Sequence, residues 1–454
     1  MKRCWAAPVK SEVEQKLLKE GNEWVMGVLE NKDRVKNVGF ISTRIAGTDG
    51  VSLELEKWAN VFEDLGLTCF YFAGELDRPQ ERSYLVEEAH FSHPDIKDVY
   101  LKSFGVISRD RAVSKKIYQL AIKLKDDIYD FVKKFDIDLL IPQNALTIPL
   151  NIPLGIAITE FIAETNFRTL AHHHDFYWER DRFMVNAVSD YLNMSFPPVL
   201  PSIEHIVINS VADTQLSLRT GISAHIIPNV MDFDNPPPPP DDYTLDVKEA
   251  LGIEADELFV LQPTRVVKRK GIEHAIELVH RLGRKAKLVI SHASGDEGYD
   301  YEQRLREYSK LMNVDTVFVS DIINEERGTT DDGRKIYTLE DIYPYADLVT
   351  YPSTFEGFGN AFLETLYFKK PIVVNSYSIY IKDIQPKGFS AIEIDGYVTE
   401  AAVEKTKQIL DDPKLCQEIV DHNYDLAKKY FSYTVLHRIL SHYMIEHNWL
   451  APEC

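Results

Sequence analysis

The chain is 454 residues long, with 44% hydrophobic and 27% charged residues, the composition of a globular protein of roughly two to four domains. Lys and Arg number 51 against 71 Asp and Glu, a formal charge of −20, which sets the chain against nucleic acid and anionic membrane surfaces as partners. The cysteines at 4, 69, 416 and 454 are scattered, with no C-x-x-C pair. Neither a zinc knuckle nor a redox dithiol is expected, and the pattern suits a reducing cytoplasm. Met1 to Lys19 has basic residues but no apolar core, so no secretory signal is expected.

In chain order, a strand is predicted at 37–43, followed by the loop Arg44 to Gly50 and an amphipathic helix over about 52–65. A strand follows at 67–73, a long helix at about 111–135 and a strand at 137–142. The apolar stretch from Leu139 to Ile162 is interrupted by Pro142, Asn144, Pro149, Asn151 and Pro153, which reads as strand, loop and helix rather than a membrane span. Further strands are predicted at 168–172 and 205–209. Pro236 to Pro240 are five consecutive prolines, a stiff extended linker or a proline-motif ligand. Beyond them strands are predicted at 258–262, 286–290, 316–319, 347–351 and 371–374. Helices are predicted at about 271–283, 300–311, 360–368, 399–411 and 433–448. Strand and helix alternate throughout, so the fold class is α/β, with two doubly wound Rossmann-like domains facing a cleft. The expected division is 1–232 for the first domain and 233–430 for the second. Residues 431–454 would form a helix crossing back to the first.

Glu356 to Glu364 reads EGFGNAFLE and follows a predicted strand and short loop. Gly357 and Gly359 stand at the mouth of a helix, where free N–H groups receive anions and glycine lets a phosphate come close. Glu364, one turn inside, can accept from the vicinal hydroxyls of a ribose. On charge spacing alone the two glutamates are equally solvated side chains around a tight turn. After strand 258–262 comes Pro263-Thr264-Arg265, then Val266 to Gly271 with Lys270, then a helix. Cations at the carboxyl end of a strand can clamp a diphosphate. Together the two segments fit one ligand, a nucleotide diphosphate.

The chain resembles the family 4 glycosyltransferases of GT-B fold. The resemblance rests on Arg265 and Lys270 after the first strand of the second half, on Glu356 and Glu364 around a Gly-Phe-Gly turn, and on HIIPNVMD at 225–232. It is strong from about 225 to 430 and looser from 37 to 225. The loop Gly47-Thr48-Asp49-Gly50 departs from the glycine pair of many members. The resemblance implies that Arg265 and Lys270 neutralise the leaving diphosphate. Glu364 would bind ribose, Glu356 the transferred sugar, and the N–H groups of Phe358, Gly359 and Asn360 sugar hydroxyls or phosphate. It also implies retention of anomeric configuration. The reaction builds negative charge on the diphosphate, which fixed cations stabilise most in the transition state.

His172-His173-His174-Asp175 follows the strand at 168–172. A metal site is disfavoured because neighbouring strand residues point to opposite faces. Structural histidines and an active-site role remain. In the family a histidine here faces the donor sugar; His174 matches best and His173 second. Arg180 and Arg182 face an anionic acceptor or pair with Glu179 and Asp181. Gly47, Thr48, Asp49 and Gly50 make a loop that borders acceptor or phosphate, or a plain β–α turn capped by Asp49 or Ser52. Asn144 and Thr147 are placed on the acceptor side, and His292, in a loop running to Gly298, beside the nucleotide. A basic cluster of Arg109, Arg111, Lys115 and Lys116 receives an anionic acceptor or is a solvated face.

The function expected is transfer of a hexose from a UDP-, GDP- or ADP-sugar to a small soluble acceptor: a sugar, a sugar phosphate or a glycerate-type solute. The HHHDFYWER stretch is similar to that of enzymes making glucosylglycerate-type solutes; a sucrose-synthesis-like type is the other variant. No tightly bound cofactor, no essential divalent metal, no nucleic acid and no stable membrane insertion are expected. The alternatives are a nucleotide-sugar epimerase of the same fold and a non-catalytic sugar-nucleotide-binding protein.

Overall fold

The computed structural model describes residues 34–47, 49–293 and 299–451. Thr48, the loop 294–298, the terminal cysteines and the Met1–Lys19 segment lie outside the described residues.

The first apolar run forms β1 (Asn37–Ile41), and Asp49 begins α1 (Gly50–Asp64). The Asp49 carboxylate accepts from the N–H groups of Val51 and Ser52, 3.0 and 3.3 Å away, so the cap is Asp49 rather than Ser52. Leu55, Trp58, Ala59 and Phe62, at helical spacing, bury one face of α1. Next come β2 (Thr68–Ala73), β3 (Ser83–Leu85), α2 (Arg111–Lys134), β4 (Leu139–Pro142) and α3 (Ile152–Thr165). Then follow β5 (Thr169–His173), β6 (Ile203–Val207), α4 (Ser210–Thr220) and β7 (His225–Ile226). These seven strands form one parallel sheet in the order β3-β2-β1-β4-β5-β6-β7. Helices cover both faces, which is why its central strands read as unbroken apolar runs.

The prolines at 236–240 carry neither helix nor strand. Beyond them come β8 (Leu258–Gln262), α5 (Ile272–Leu282), β9 (Ala286–Ile290), β10 (Asp315–Phe318) and a small antiparallel hairpin, β11 (Gly328–Thr329) with β12 (Lys335–Ile336). Then follow β13 (Leu348–Tyr351), α6 (Asn360–Tyr367), β14 (Ile372–Asn375), β15 (Ile392–Ile394), α7 (Glu400–Asp411), α8 (Pro413–Phe431) and α9 (Tyr433–Glu446). The second sheet is also parallel, in the order β10-β9-β8-β13-β14-β15.

Each sheet reverses its winding once, between β1 and β4 and between β8 and β13. Loops at such reversals diverge and open a crevice at the carboxyl ends of the strands. The chain crosses between the sheets at Val230–Asp232 and again at Phe431–Ser432. The crossings lie side by side: Met231 N–H donates to the Phe431 carbonyl at 2.8 Å. Leu436, Leu440, Tyr443 and Met444 of α9 complete the core that Trp58, Phe62 and Ile141 begin on the first sheet. Among the described residues no helix is long and apolar enough to cross a membrane.

Several elements depart from expectation. The strand expected at 205–209 starts two residues earlier, at Ile203, because Asn209 leaves the sheet to cap α4, accepting from Ala212 N–H at 2.7 Å. The edge strands β3 and β15 and helices α4 and α8 went unpredicted. Short edge strands lack a long apolar run, and α4 buries only Ala212 and Leu216.

Candidate active site

Loops at the carboxyl ends of the strands supply the site: those after β1, β4, β5 and β6 on the first sheet and after β8, β9 and β13 on the second. After β8 the chain makes a tight turn at Lys268–Lys270 and a left-handed step at Gly271, φ 58°. A Cβ there would stand 2.5 Å from the Pro352 carbonyl oxygen, so only glycine lets this turn lie against the loop after β13. That approach brings Lys270 onto Glu356, in direct ion pair. Arg269 Nη1 lies 3.0 Å from the other carboxylate oxygen of Glu356. Lys270 is 8% and Glu356 7% exposed. Lys270 Nζ also stands 5.3 Å from the centre of the Tyr351 ring.

The electrostatics follow from that crowding. Burial alone would raise the Glu356 carboxyl, but Lys270 and Arg269 outweigh it and hold the pKa below its ordinary value. Burial and the neighbouring Arg269 and Arg265 lower the Lys270 ammonium despite the attraction of Glu356. His292 is pushed down to about 4 by burial, then by Lys270 and Arg265. Three cations therefore surround one carboxylate and a neutral imidazole, an arrangement short of negative charge. Arg265 is exposed and pairs with no acidic side chain among the described residues. Arg269, which the sequence reading did not single out, joins Lys270 on Glu356. The turn at 268–270 carries the Arg269 head to the carboxylate, a placement that loop spacing alone does not reveal.

Gly359 has φ 121°, and a Cβ there would stand 2.5 Å from the Tyr377 hydroxyl. That conformation turns the chain into α6. The N–H groups of Phe358 and Gly359 meet no acceptor among the described residues, although the Phe358 ring itself is buried. Asn360 Oδ1 accepts from Asn229 Nδ2 at 2.9 Å. Glu364 accepts from the Tyr343 hydroxyl at 3.1 Å, and burial raises its carboxyl pKa.

Glu364, Asn360, Tyr343 and His292 line a cavity of about 840 Å³ with Asp232 and with Lys57 of α1. Its size suits a nucleotide. Lys57 reaches it from the opposite sheet, with Nζ donating to the Val230 carbonyl at 2.5 Å and to Glu54 at 2.9 Å. Sequence reading missed Lys57 because nothing but its place on the α1 face distinguishes it.

The first sheet supplies the facing wall. Asn209 Nδ2 donates to the Gly357 carbonyl at 2.6 Å. A Cβ on Gly50 would lie 3.7 Å from Asn360 Nδ2, and one on Gly47 3.8 Å from Glu325 Oε1. Asp49 holds Arg44 at 2.9 Å. The three histidines diverge. His172 and His174 share the Gln143 carboxamide, whereas His173, 1% exposed, pairs with His205 at 2.9 Å. His173, the second match for the histidine that faces the donor sugar, is thereby corrected to a buried residue turned away from His174, since alternate strand positions face opposite sides. Asn144 is also turned inward: its side chain receives His174 N–H at 3.1 Å and donates to Asp175 at 3.2 Å. Thr147 is fully buried and donates to Asn144 at 2.8 Å. Arg180 pairs with Asp175 at 2.6 Å rather than with Glu179 or Asp181. Arg109 bonds Asp190, and Lys116 pairs with Asp95 at 2.8 Å, so these two members of the basic cluster are taken up by the fold.

Comparison with known proteins adds three findings. Residues 245–425 match the family described as "Glycosyl transferases group 1". The chain is 31% identical over 430 residues to mannosylglucosylglycerate synthase of Petrotoga mobilis, covering 87% of this chain and 98% of that protein. It is 32% identical over 439 residues to the Thermotoga maritima protein of the same name, covering 89% and 98%. Among solved structures, Anabaena HepE in complex with UDP and glucose superposes with a TM-score of 0.60 at 14% identity, covering 90% of this chain and 100% of that one.

Proposed function

This chain belongs to the group 1 glycosyltransferases, and from that membership we propose that its cleft moves a mannosyl group from a nucleoside-diphosphate sugar to a glucosylglycerate-type acceptor, with retention. It is an enzyme of GT-B architecture, a glycosyltransferase with a nucleotide-sugar donor and a small acceptor. The observation that carries the finer reading is the junction of the two walls. The Gly357 turn, which follows the Lys270–Glu356–Arg269 cluster, lies against the backbone of His174 and is held by Asn209.

In this reading Lys270, with Arg269 and Arg265 beside it, neutralises the diphosphate as it departs. Three cations against one carboxylate suit a dianion, and the fixed cations take up charge as it develops. Glu364 accepts from the ribose hydroxyls, His292 borders the nucleotide, and free N–H groups at Phe358 and Gly359 meet phosphate or sugar oxygens. Glu356 and His174 contact the transferred hexose. The acceptor enters from the side of Gly47, Asp49, Gly50 and Arg180, and its proton passes to the leaving phosphate oxygen on the same face. The clamp is built from side-chain cations, so the reaction needs no divalent metal.

The test is incubation with UDP-, GDP- and ADP-hexoses, with and without glucosylglycerate, followed by product NMR. A disaccharide glycerate with the donor's anomeric configuration is expected. An altered sugar nucleotide formed without acceptor, or binding with no turnover for any pair, would overturn the reading.

A further inference from the structure

The histidine triplet carries more than its place in the cleft. Gln143 directly follows β4, is fully buried, and its carboxamide lies between two imidazoles. Its Oε1 is 3.1 Å from His172 Nδ1 and its Nε2 is 2.9 Å from His174 Nε2. A primary amide has one donating and one accepting end, so it imposes opposite states on two partners.

Which end does which is decided by His172. Its ring stacks on Trp58 at 4.2 Å, and its Nε2 is buried with no hydrogen-bond partner. A proton on that atom would be stranded, whereas on Nδ1 it is donated to Gln143 Oε1. The amide NH2 then points at His174 Nε2, which must present a lone pair. The one proton of neutral His174 is left on Nδ1. The backbone beside it is fixed separately, by Asn144 and, through Asn144, by Thr147.

We propose that Gln143 is a positioning residue that holds His174 as the neutral Nδ1–H form and presents that N–H to the transferred sugar. The inference rests on the reaction proposed above. The sugar develops positive charge as its bond to the diphosphate breaks, so a neutral donor at its hydroxyls helps where an imidazolium would oppose. The groups that act on the His174 ring are Asp175 on its own loop, Asp49 and Lys57 on the α1 side, and His172 on β5. Burial outweighs the two carboxylates and lowers His174 to about 4. A carboxamide leaves that balance undisturbed; a carboxylate in its place would recruit a second proton.

Two measurements test this. In ¹⁵N-histidine-labelled wild-type protein, long-range ¹H–¹⁵N spectra, assigned with His174→Gln, are expected to show His174 protonated at Nδ1 at neutral pH. An Nε2–H form overturns the proposal without any activity assay. Gln143→Glu is expected to lower kcat roughly tenfold between about pH 8 and pH 6, where wild type is flat. Gln143→Met is expected to lower kcat about tenfold at all pH values while leaving the Kd for UDP alone unchanged. Wild-type turnover together with an unaltered pH profile in the Glu variant, or full kcat in the Met variant, overturns the assignment of Gln143. Absence of wild-type transfer with every donor overturns the reaction instead.

Discussion

Gly357 and His174 follow strands of different sheets, yet a Cβ added to Gly357 would stand 3.4 Å from the His174 carbonyl oxygen. The two walls of the cleft therefore touch at the turn that opens α6. A methyl at that distance is in ordinary contact, whereas one on Gly359 would overlap the Tyr377 hydroxyl and occupy a φ of 121°. Gly357→Ala should fold with a near-native Tm. Gly359→Ala should lose about 2 kcal/mol or more from backbone strain, along with most activity. Denaturation curves and initial rates on both variants check this.

Lys270→Ala leaves the Glu356 carboxylate buried with Arg269 alone. Loss of one partner from a buried pair costs about 3–5 kcal/mol of stability, and loss of a transition-state cation about 10²–10³ in kcat. Arg269 is partly exposed, so Arg269→Ala should cost only about tenfold in rate. Equal effects of the two substitutions would contradict this ranking. EDTA should leave the wild-type rate within about twofold if the cations alone serve the diphosphate.

Glu364 sets stability against binding. Its carboxyl is raised by burial and has the Tyr343 hydroxyl as its donor. Glu364→Gln removes a desolvated charge while keeping the shape, so Tm should rise. With Glu364 in its proposed place on the ribose hydroxyls, the donor KM should increase about tenfold. Thermal melts and donor titration together read the opposite signs.

Acid should destabilise the fold through its buried histidines. Burial holds His172 and His173 well below 6.5 and brings His205 to about 4. Between those values the unfolded chain binds protons that the folded one refuses, so stability is complete above about pH 6.5 and falls as pH drops toward 4. His205 alone accounts for about 3 kcal/mol over that window. Urea midpoints at several pH values should fall in this range, and His205→Gln should flatten the curve.

Much of this was legible in the sequence. The apolar strand runs at 258–262 and 286–290 fall where β8 and β9 stand, because central parallel strands are buried on both faces. Glu356, Gly359 and Lys270 could be picked out because a helix mouth and a cationic loop have local signatures. The contribution of Arg269, Lys57, Asn209 and Gln143 could not. Each acts across a gap of more than 80 residues or between sheets or through the rotamer of a neighbour, and none of these leaves a periodic trace. The histidine triplet was visible as a cluster, but only the strand pleat and the single amide between His172 and His174 separate its members.

The last helix has a consequence for how the chain is made. Leu436, Leu440 and Met444 close a core whose other half lies between residues 35 and 73. Domains usually fold as they leave the ribosome, amino end first. Here the first sheet must wait, one flank unsealed, until residues 433–446 have been synthesised, while the second sheet can finish before it. Ribosome-bound chains stalled before residue 433 should therefore expose the α1 face to proteases, and extension through residue 446 should seal it.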